Sequence, residues 1–326
     1  MQQARRSGTA QQSLHLAGLE FHVMKRIPLC ALITTLVLAV VWAITPRRHA
    51  GIPLTSAEAA QVGGGPDTVE ENVTYAPGLT LDIYKPADSG AGARPAVILI
   101  HGGGWTSFDK STMKGMGGFL SRSGFVAFAV DYRLFKGADT RWPAQLDDVQ
   151  RAVRWVRANA GKYGVNPERV GAFGHSAGAQ LAALLGMEET RDNSEAALAK
   201  YSSKVQAVVD VSGPTDFTTQ KDPDGIAFFG NFLGTEYAKH PEVWQQASPA
   251  FHAAKDNAPF LILHGTRDEM VPIAQAQELY EKLKAAGVAA SLIKVDDGHT
   301  FQSTENRHRL AAESMAFFNR YLVIGH

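Results

Sequence analysis

The chain has 326 residues, 45% of them apolar, which is enough to build a sizeable core in one large domain or two modest ones. Thirty-two Lys and Arg balance thirty-two Asp and Glu, so no basic excess points to nucleic acid. Cys30 is the single cysteine, which excludes an intrachain disulfide and a cysteine-built metal cluster.

Residues 1–62 read as a leader and the remainder, 63–326, as a catalytic domain. Within the leader, Ile27 to Ile44 carries no charge and lies between Lys25-Arg26 and Arg47-Arg48. This is the form of an export signal starting at Met24, with cleavage after Ala43 or after Ala59. The run 27–44 is also long enough for a single membrane span, so an uncleaved anchor is the alternative. Either reading places the mature protein outside the cytoplasm, in the periplasm or beyond the cell.

From residue 69 onward, strand and helix signals alternate. "VTYAPGLTLDIYKP" reads as a hairpin-like opening pair. "PAVILI" (95–100), "FVAFAVDY" (125–132), "RVGAFG" (169–174), "VQAVVDVSG" (205–213), "PFLILHG" (259–265) and "SLIKV" (291–295) are short apolar runs, as expected of strands buried on both faces. Between them, Pro143 to Gly161 carries Leu146, Val149, Val153 and Val156 at helical spacing, opened by proline and closed by glycine. Ala274 to Gly287 has the same form, and Thr304 to Leu322 closes the chain. The alternation predicts a mostly parallel sheet with helices on both faces, and ligands beyond the carboxyl ends of its strands.

Four of those strand ends carry chemistry. "RVGAF" leads into "GHSAG" (174–178) and then a helix-compatible run. A strand–turn–helix of this kind holds a serine on a turn too tight for bulky neighbours, which singles out Ser176 as a nucleophile. A serine hydroxyl needs a base, and the base needs an orienting carboxylate, in the chain order Ser, Asp or Glu, His. "TRDEMVP" after "PFLILHG" offers Asp268, and "DDGHTF" after "SLIKV" offers His299. Asp297, Asp210 and Asp216 are the alternative carboxylates. His264 reads as a core histidine, His101 and His175 as braces for backbone, and His252 as a surface residue.

"HGGGW" (101–105) follows "PAVILI" directly. No Lys-Ser or Lys-Thr follows the glycines, so a phosphate-binding loop is excluded. A transient oxyanion fits better. The predicted donors are the backbone N–H groups of Gly103, Gly104 and Ala177. A methyl group at Gly103 is then expected to hinder the oxyanion while leaving the fold nearly unchanged. No cofactor and no metal are implied. The oligomeric state is left open.

With "HGGGW", "GHSAG", "HGTRD" and "DGH" in this order, residues 70–326 resemble the α/β-hydrolase superfamily. The likeness is greatest to the bacterial esterase/lipase branch, related to hormone-sensitive lipase and to small carbohydrate or feruloyl esterases. The resemblance implies an α/β fold with an eight-stranded, mostly parallel sheet and the same roles for Ser176, Asp268, His299 and the Gly103–Gly104 pair. The chain departs from hormone-sensitive-lipase-like esterases in reading "GHSAGA" where they have Gly-Asp-Ser-Ala-Gly-Gly. It also lacks the signal for their N-terminal helical cap. The expected substrate is a small-molecule ester with a short or aromatic acyl group. The His-Gly-Gly-x-Trp pattern is also similar to arylformamidases, so amide hydrolysis is a second reading, and a non-catalytic binding module a third. Residues 213–258 are too long for a simple connection. There Phe228, Phe229, Phe232 and Trp244 either line an acyl pocket or pack as a shield for the sheet, and Trp105, Phe108 and Tyr132 face the same choice.

Overall fold

The computed structural model describes residues 68–87, 92–190, 192 and 194–324. The expected leader, with its apolar run 27–44 and Cys30, lies outside the described residues. Among those residues, no helix is long and apolar enough to cross a membrane.

The opening hairpin is strands β1 (Thr68–Ala76) and β2 (Leu79–Lys85), turned at Pro77-Gly78. Each apolar run then forms a strand: β3 (Arg94–Ile100), β4 (Val126–Val130), β5 (Val165–His175), β6 (Ala207–Val211), β7 (Phe260–Gly265) and β8 (Ala290–Val295). They make one eight-stranded sheet in the order β1-β2-β4-β3-β5-β6-β7-β8. Only the pairs of β2 with β1 and with β4 are antiparallel; from β4 to β8 all neighbours run parallel. The sheet is the α/β-hydrolase architecture expected from the sequence.

Helices cover both faces. On one side lie α2 (Ala144–Ala158), the short α3 (Ala160–Tyr163), α4 (Ala177–Leu185) and α7 (Ile273–Ala285); their Leu146, Val149, Val153, Leu181, Leu184 and Leu279 join one apolar core with Ile98, Val208 and Ile262. On the other lie α1 (Lys114–Arg122) and α8 (Thr304–Phe318), whose Leu120 and Phe318 pack with Leu99, Val209 and Leu263. Alternate residues of one strand thus serve two cores, which is why these strands read as unbroken apolar runs. The final helix is shorter than the expected 304–322: it passes into a wider π-helical turn over Asn319–Ile324. Residues 213–258 carry α5 (Pro223–Leu233) and α6 (Pro241–Gln246), both opened by proline at the first helical position.

Because β3, β5, β6, β7 and β8 are parallel, the segments after Ile100, His175, Val211, Gly265 and Val295 leave the sheet along one edge. That edge carries the site.

Candidate active site

Ser176 sits between β5 and α4 with φ +56° and ψ −124°, outside the regions an L-residue normally occupies. The conformation is held by its surroundings: Ser176 N donates to Val211 O at 2.8 Å, and the carbonyl of Ser176 accepts from Ala179 N at 2.9 Å. Close packing explains the flanking glycines. A Cβ on Gly174 would stand 2.1 Å from Gly178 O, and one on Gly178 would stand 2.2 Å from Ile100 O. The small residues let α4 press against the ends of β3 and β5 while the serine points out of the turn.

His299 and Asp268 arrive on the loops after β8 and β7. Ser176 Oγ lies 2.9 Å from His299 Nε2, and His299 Nδ1 lies 2.7 Å from Asp268 Oδ2. Nδ1 faces a carboxylate and therefore carries the ring proton, which leaves Nε2 free to accept one. Asp268 Oδ1 accepts from Met270 N at 2.9 Å and from Val271 N at 2.8 Å. Burial alone would raise the Asp268 carboxyl, but hydrogen bonds from His264 and His299, the charge of His299 and the Val271 N–H outweigh it and hold the group well below the usual carboxylate range. The three residues singled out from the sequence therefore meet in one hydrogen-bonded line. Such a line can take the proton from a hydroxyl and stabilise the imidazolium that results.

The glycine loop lies beside this line. A Cβ on Gly102 would stand 3.1 Å from Ser176 Cβ and 3.0 Å from His175 O. Among the described residues, the N–H groups of Gly103 and Gly104 have no hydrogen-bond acceptor. Ala177 is the first residue of α4, where an N–H has no partner within the helix. These are the three predicted donors. The loop's turn is tightened through the carbonyl of Gly103, which accepts from Thr106 N, Ser107 N and Ser107 Oγ. Gly103 has φ +109°, and a Cβ there would stand 2.1 Å from Ser107 O. The expectation that a methyl group at Gly103 leaves the fold intact is therefore corrected: the turn itself requires glycine at this position.

The other histidines divide as follows. His175 Nε2 donates to His299 O at 3.0 Å, and burial, with the nearby charge of His299, pushes its imidazole down to about 4. It stays neutral and braces the loop that carries His299. His101 donates from Nδ1 to Gly102 O at 2.7 Å and stacks on Tyr132, whose hydroxyl donates to His101 O at 3.0 Å. His264 is buried as expected, but it is more than core: Nε2 lies 2.8 Å from Val271 O and 3.2 Å from Asp268 Oδ2. Only a loop that turns back on the strand end makes this contact, and no spacing in the sequence announces it. His252 lies in a surface segment as expected, itself half-buried with Nδ1 2.6 Å from Glu188 Oε1.

The alternative carboxylates lie elsewhere. Asp297 accepts from the N–H groups of Gly298, Gln302 and Ser303 and from Asn306 Nδ2, so it shapes the His299 loop without touching the ring. Asp216 caps a short turn through Thr218 N, and Asp210 is buried against Gly213 N. Among the aromatic residues, Phe232, Trp244, Trp105 and Tyr132 are buried, whereas Phe108, Phe228 and Phe229 are half-buried. Trp105 stacks on Phe232 with ring centroids 4.8 Å apart and meets Phe217 edge-on at 5.5 Å. The excursion 213–258 thus packs its aromatic residues against the residue that follows the glycine loop. Among the described residues, no group of three or more His, Cys, Asp or Glu could hold a metal ion.

Comparison with known proteins agrees with this fold. The chain is 32% identical over 217 residues to Esterase LipC of Mycobacterium tuberculosis, a match that covers 64% of this chain and 53% of that one. It therefore spans about half the length of that relative. A truncated carbohydrate esterase from gut microbiota superposes with a TM-score of 0.66 at 27% identity, over 77% of this chain and 95% of that one. The butyrate-bound esterase Est2 of Thermogutta terrifontis gives a TM-score of 0.66 at 25% identity, over 80% of this chain and 97% of that one. The family model BD-FAE matches residues 81–283, which hold the glycine loop, Ser176 and Asp268 on the parallel sheet just described, and the chain belongs to the BD-FAE family within the α/β-hydrolase superfamily.

Proposed function

We propose that this chain hydrolyses carboxylic esters with short or aromatic acyl groups through an acyl-enzyme on Ser176. The observation that carries the reading is the unbroken line from Ser176 Oγ through both nitrogens of His299 to Asp268 Oδ2, at 2.9 and 2.7 Å. The names of its relatives, an esterase and a carbohydrate esterase, support the same reaction class.

Ser176 Oγ attacks the ester carbonyl carbon as its proton passes to His299 Nε2. The carbonyl π pair moves to oxygen, and the N–H groups of Gly103, Gly104 and Ala177 take up the resulting charge. Asp268 stays ionised and holds the imidazolium by Nδ1. Collapse of the tetrahedral species breaks the bond to the leaving alcohol, which departs with the proton from Nε2. Water then repeats the sequence on the acyl-enzyme, with His299 again as base, and releases the acid and free Ser176. Every step needs only protons and electron pairs that the substrate, water and these residues supply.

The test is labelling with a fluorophosphonate and peptide mass spectrometry, followed by turnover of an ester panel that varies acyl length and aromaticity. The expected result is a single adduct on Ser176 and turnover highest for short or aromatic acyl groups. An intact Ser176 in an active, labelled protein overturns the mechanism. Preference for an N-formyl aryl amide over 4-nitrophenyl acetate would favour the amide reading.

We also infer export, from the uncharged run Ile27–Ile44 between basic residues. Cell fractionation with N-terminal sequencing of the mature protein separates cleavage after Ala43 or Ala59 from retention of 27–44 as an anchor. A soluble cytoplasmic protein that keeps residues 24–60 overturns both.

A further inference from the structure

Helix α4 is apolar along its whole length except at Gln180, which is fully buried. A buried primary amide costs free energy unless its donor and acceptor are both satisfied. Here each end is used, and each end reaches a different part of the molecule. Gln180 Oε1 accepts from Trp105 Nε1 at 3.2 Å, and Gln180 Nε2 donates to Ala247 O at 2.8 Å. Its backbone N–H lies 3.3 Å from Ser176 O. One side chain therefore ties three things together: the helix that begins at Ser176, the residue directly after Gly104, and the end of α6 in the excursion 213–258.

Trp105 is well placed to transmit this tie. It has φ +59° and is 3% exposed, and its carbonyl accepts from Phe135 N at 2.7 Å. Its ring is packed between Phe232 and Phe217, both from the excursion. Packing alone fixes the plane of an indole ring less well than packing plus a directed N–H bond. A tilt of that ring would turn the Gly104–Trp105 peptide, and with it the loop that holds the two glycine N–H groups.

We propose that Gln180 is a positioning residue for the oxyanion loop, acting through Trp105, with Ala247 as its second fixed point. The inference rests on the proposed function, since it concerns the placement of donors that matter only when an oxyanion forms. Gln180 touches no reacting atom. Its contribution lies in transition-state geometry and leaves substrate binding nearly unchanged.

The experiment is a double-mutant cycle on Gln180→Met and Trp105→Phe, read as kcat and KM for 4-nitrophenyl acetate and as affinity for phenylboronic acid, which forms a tetrahedral adduct on the serine. Each single variant should lose about 10–100-fold in kcat, the scale of a small misplacement of catalytic groups, while KM changes by no more than about twofold. Boronate affinity should fall in parallel with kcat/KM. The double variant should lose no more than the worse single one, because both changes break the same tie. Trp105→Phe keeps an aromatic ring in the nest, so it serves as the readout if Gln180→Met fails to fold. Folded variants with full kcat and full boronate affinity overturn the proposal, as do losses that multiply in the double variant or that fall on KM alone. A wild-type chain that forms no boronate adduct, or Ser176→Ala that keeps the esterase rate, overturns the proposed function and this inference with it. With those two controls as expected, failure of the cycle rejects the role of Gln180 alone.

Discussion

His264 Nε2 lies 3.2 Å from Asp268 Oδ2, the same oxygen that lies 2.7 Å from His299 Nδ1. One carboxylate oxygen is therefore shared by two imidazoles, and the other oxygen accepts from Met270 N and Val271 N. His264 Nε2 also faces Val271 O at 2.8 Å, so it must carry a proton and act as a donor. All four neighbours of Asp268 donate. An asparagine would turn its own NH2 group toward either the imidazoles or the backbone pair. Asp268→Asn should lower kcat by about 10⁴-fold, as for the corresponding change in serine-protease triads. It should also lower stability, measured as a smaller urea midpoint at neutral pH. Near-normal activity in a folded Asp268→Asn enzyme would exclude Asp268 as the orienting group.

Ser176→Ala should remove turnover by about a million-fold in kcat, on the scale seen when a triad serine is lost. The fold should survive. The backbone at Ser176 is held by Val211 O and Ala179 N, and neither bond involves the hydroxyl. Steady-state rates with 4-nitrophenyl acetate and a thermal melt of the same sample check both halves. A variant that keeps more than a few per cent of the rate rules out Ser176 as nucleophile.

Half-buried His175 and fully buried Asp210 give stability opposite dependences on pH. The imidazole of His175 falls to about 4 from an ordinary 6.5, because burial and the charge of His299 oppose protonation. The unfolded chain therefore binds the proton first, and this contribution is present above about 6.5 and lost as pH falls toward 4. At 1.36 kcal/mol for each pH unit it amounts to roughly 3 kcal/mol. Asp210 is raised by burial from 3.8 to about 6, with the Gly213 N–H and His264 pulling it back. There the folded state keeps its proton longer, so stability is present below about 4 and lost as pH rises toward 6. The two effects offset each other between pH 4 and 6. Urea midpoints should be nearly flat across that range in the wild type. They should fall with rising pH in His175→Asn and fall on acidification in Asp210→Asn. Parallel profiles in all three proteins would show that neither group titrates as its burial requires.

Strands β3 to β7 were legible because each serves two cores, so periodicity reduced to plain apolar runs bounded by turn residues. Ser176, Asp268 and His299 were legible because the chemistry demands those types in that order at strand ends. Helix α1 was not. Its sequence "KGMGGFLSR" holds three glycines, which weaken the helix signal, and Gly117 is there because a Cβ would stand 2.5 Å from the Tyr84 ring. Helix α5 hid for a different reason. Phe228, Phe229, Phe232 and Leu233 do fall on one face, but the stripe spans barely two turns and only Phe232 and Leu233 are buried, too short a run to stand out as a helical period. The partners of His264, His252 and Gln180 come from loop returns and tertiary packing, which leave no local pattern.

The glycine loop yields the sharpest separation between backbone need and chemical role. Gly103 sits at φ +109° with Ser107 O where a Cβ would go, whereas Gly104 has φ +58° and meets nothing nearer than Thr106 Oγ1 at 4.0 Å. A methyl group at Gly103 must push the backbone of Ser107 away and so undo the turn. At Gly104 there is space, and an L-residue at that φ costs only about 1–2 kcal/mol. Gly103→Ala should therefore lose both thermal stability and activity, which makes it uninformative about the oxyanion. Gly104→Ala should fold, with a melting temperature lower by a few degrees. Its N–H remains, and the added methyl alters only the approach of the substrate oxygen. If Gly104 donates to the oxyanion, kcat should fall by up to about 10²-fold with KM little changed, since a donor of this kind acts in the transition state. Affinity for a boronate should fall with kcat/KM, while competitive inhibition by the product acid should not. Gly104→Ala with full kcat and full boronate affinity would show that Gly104 serves only the turn, and that the charge is carried by Gly103 and Ala177 alone.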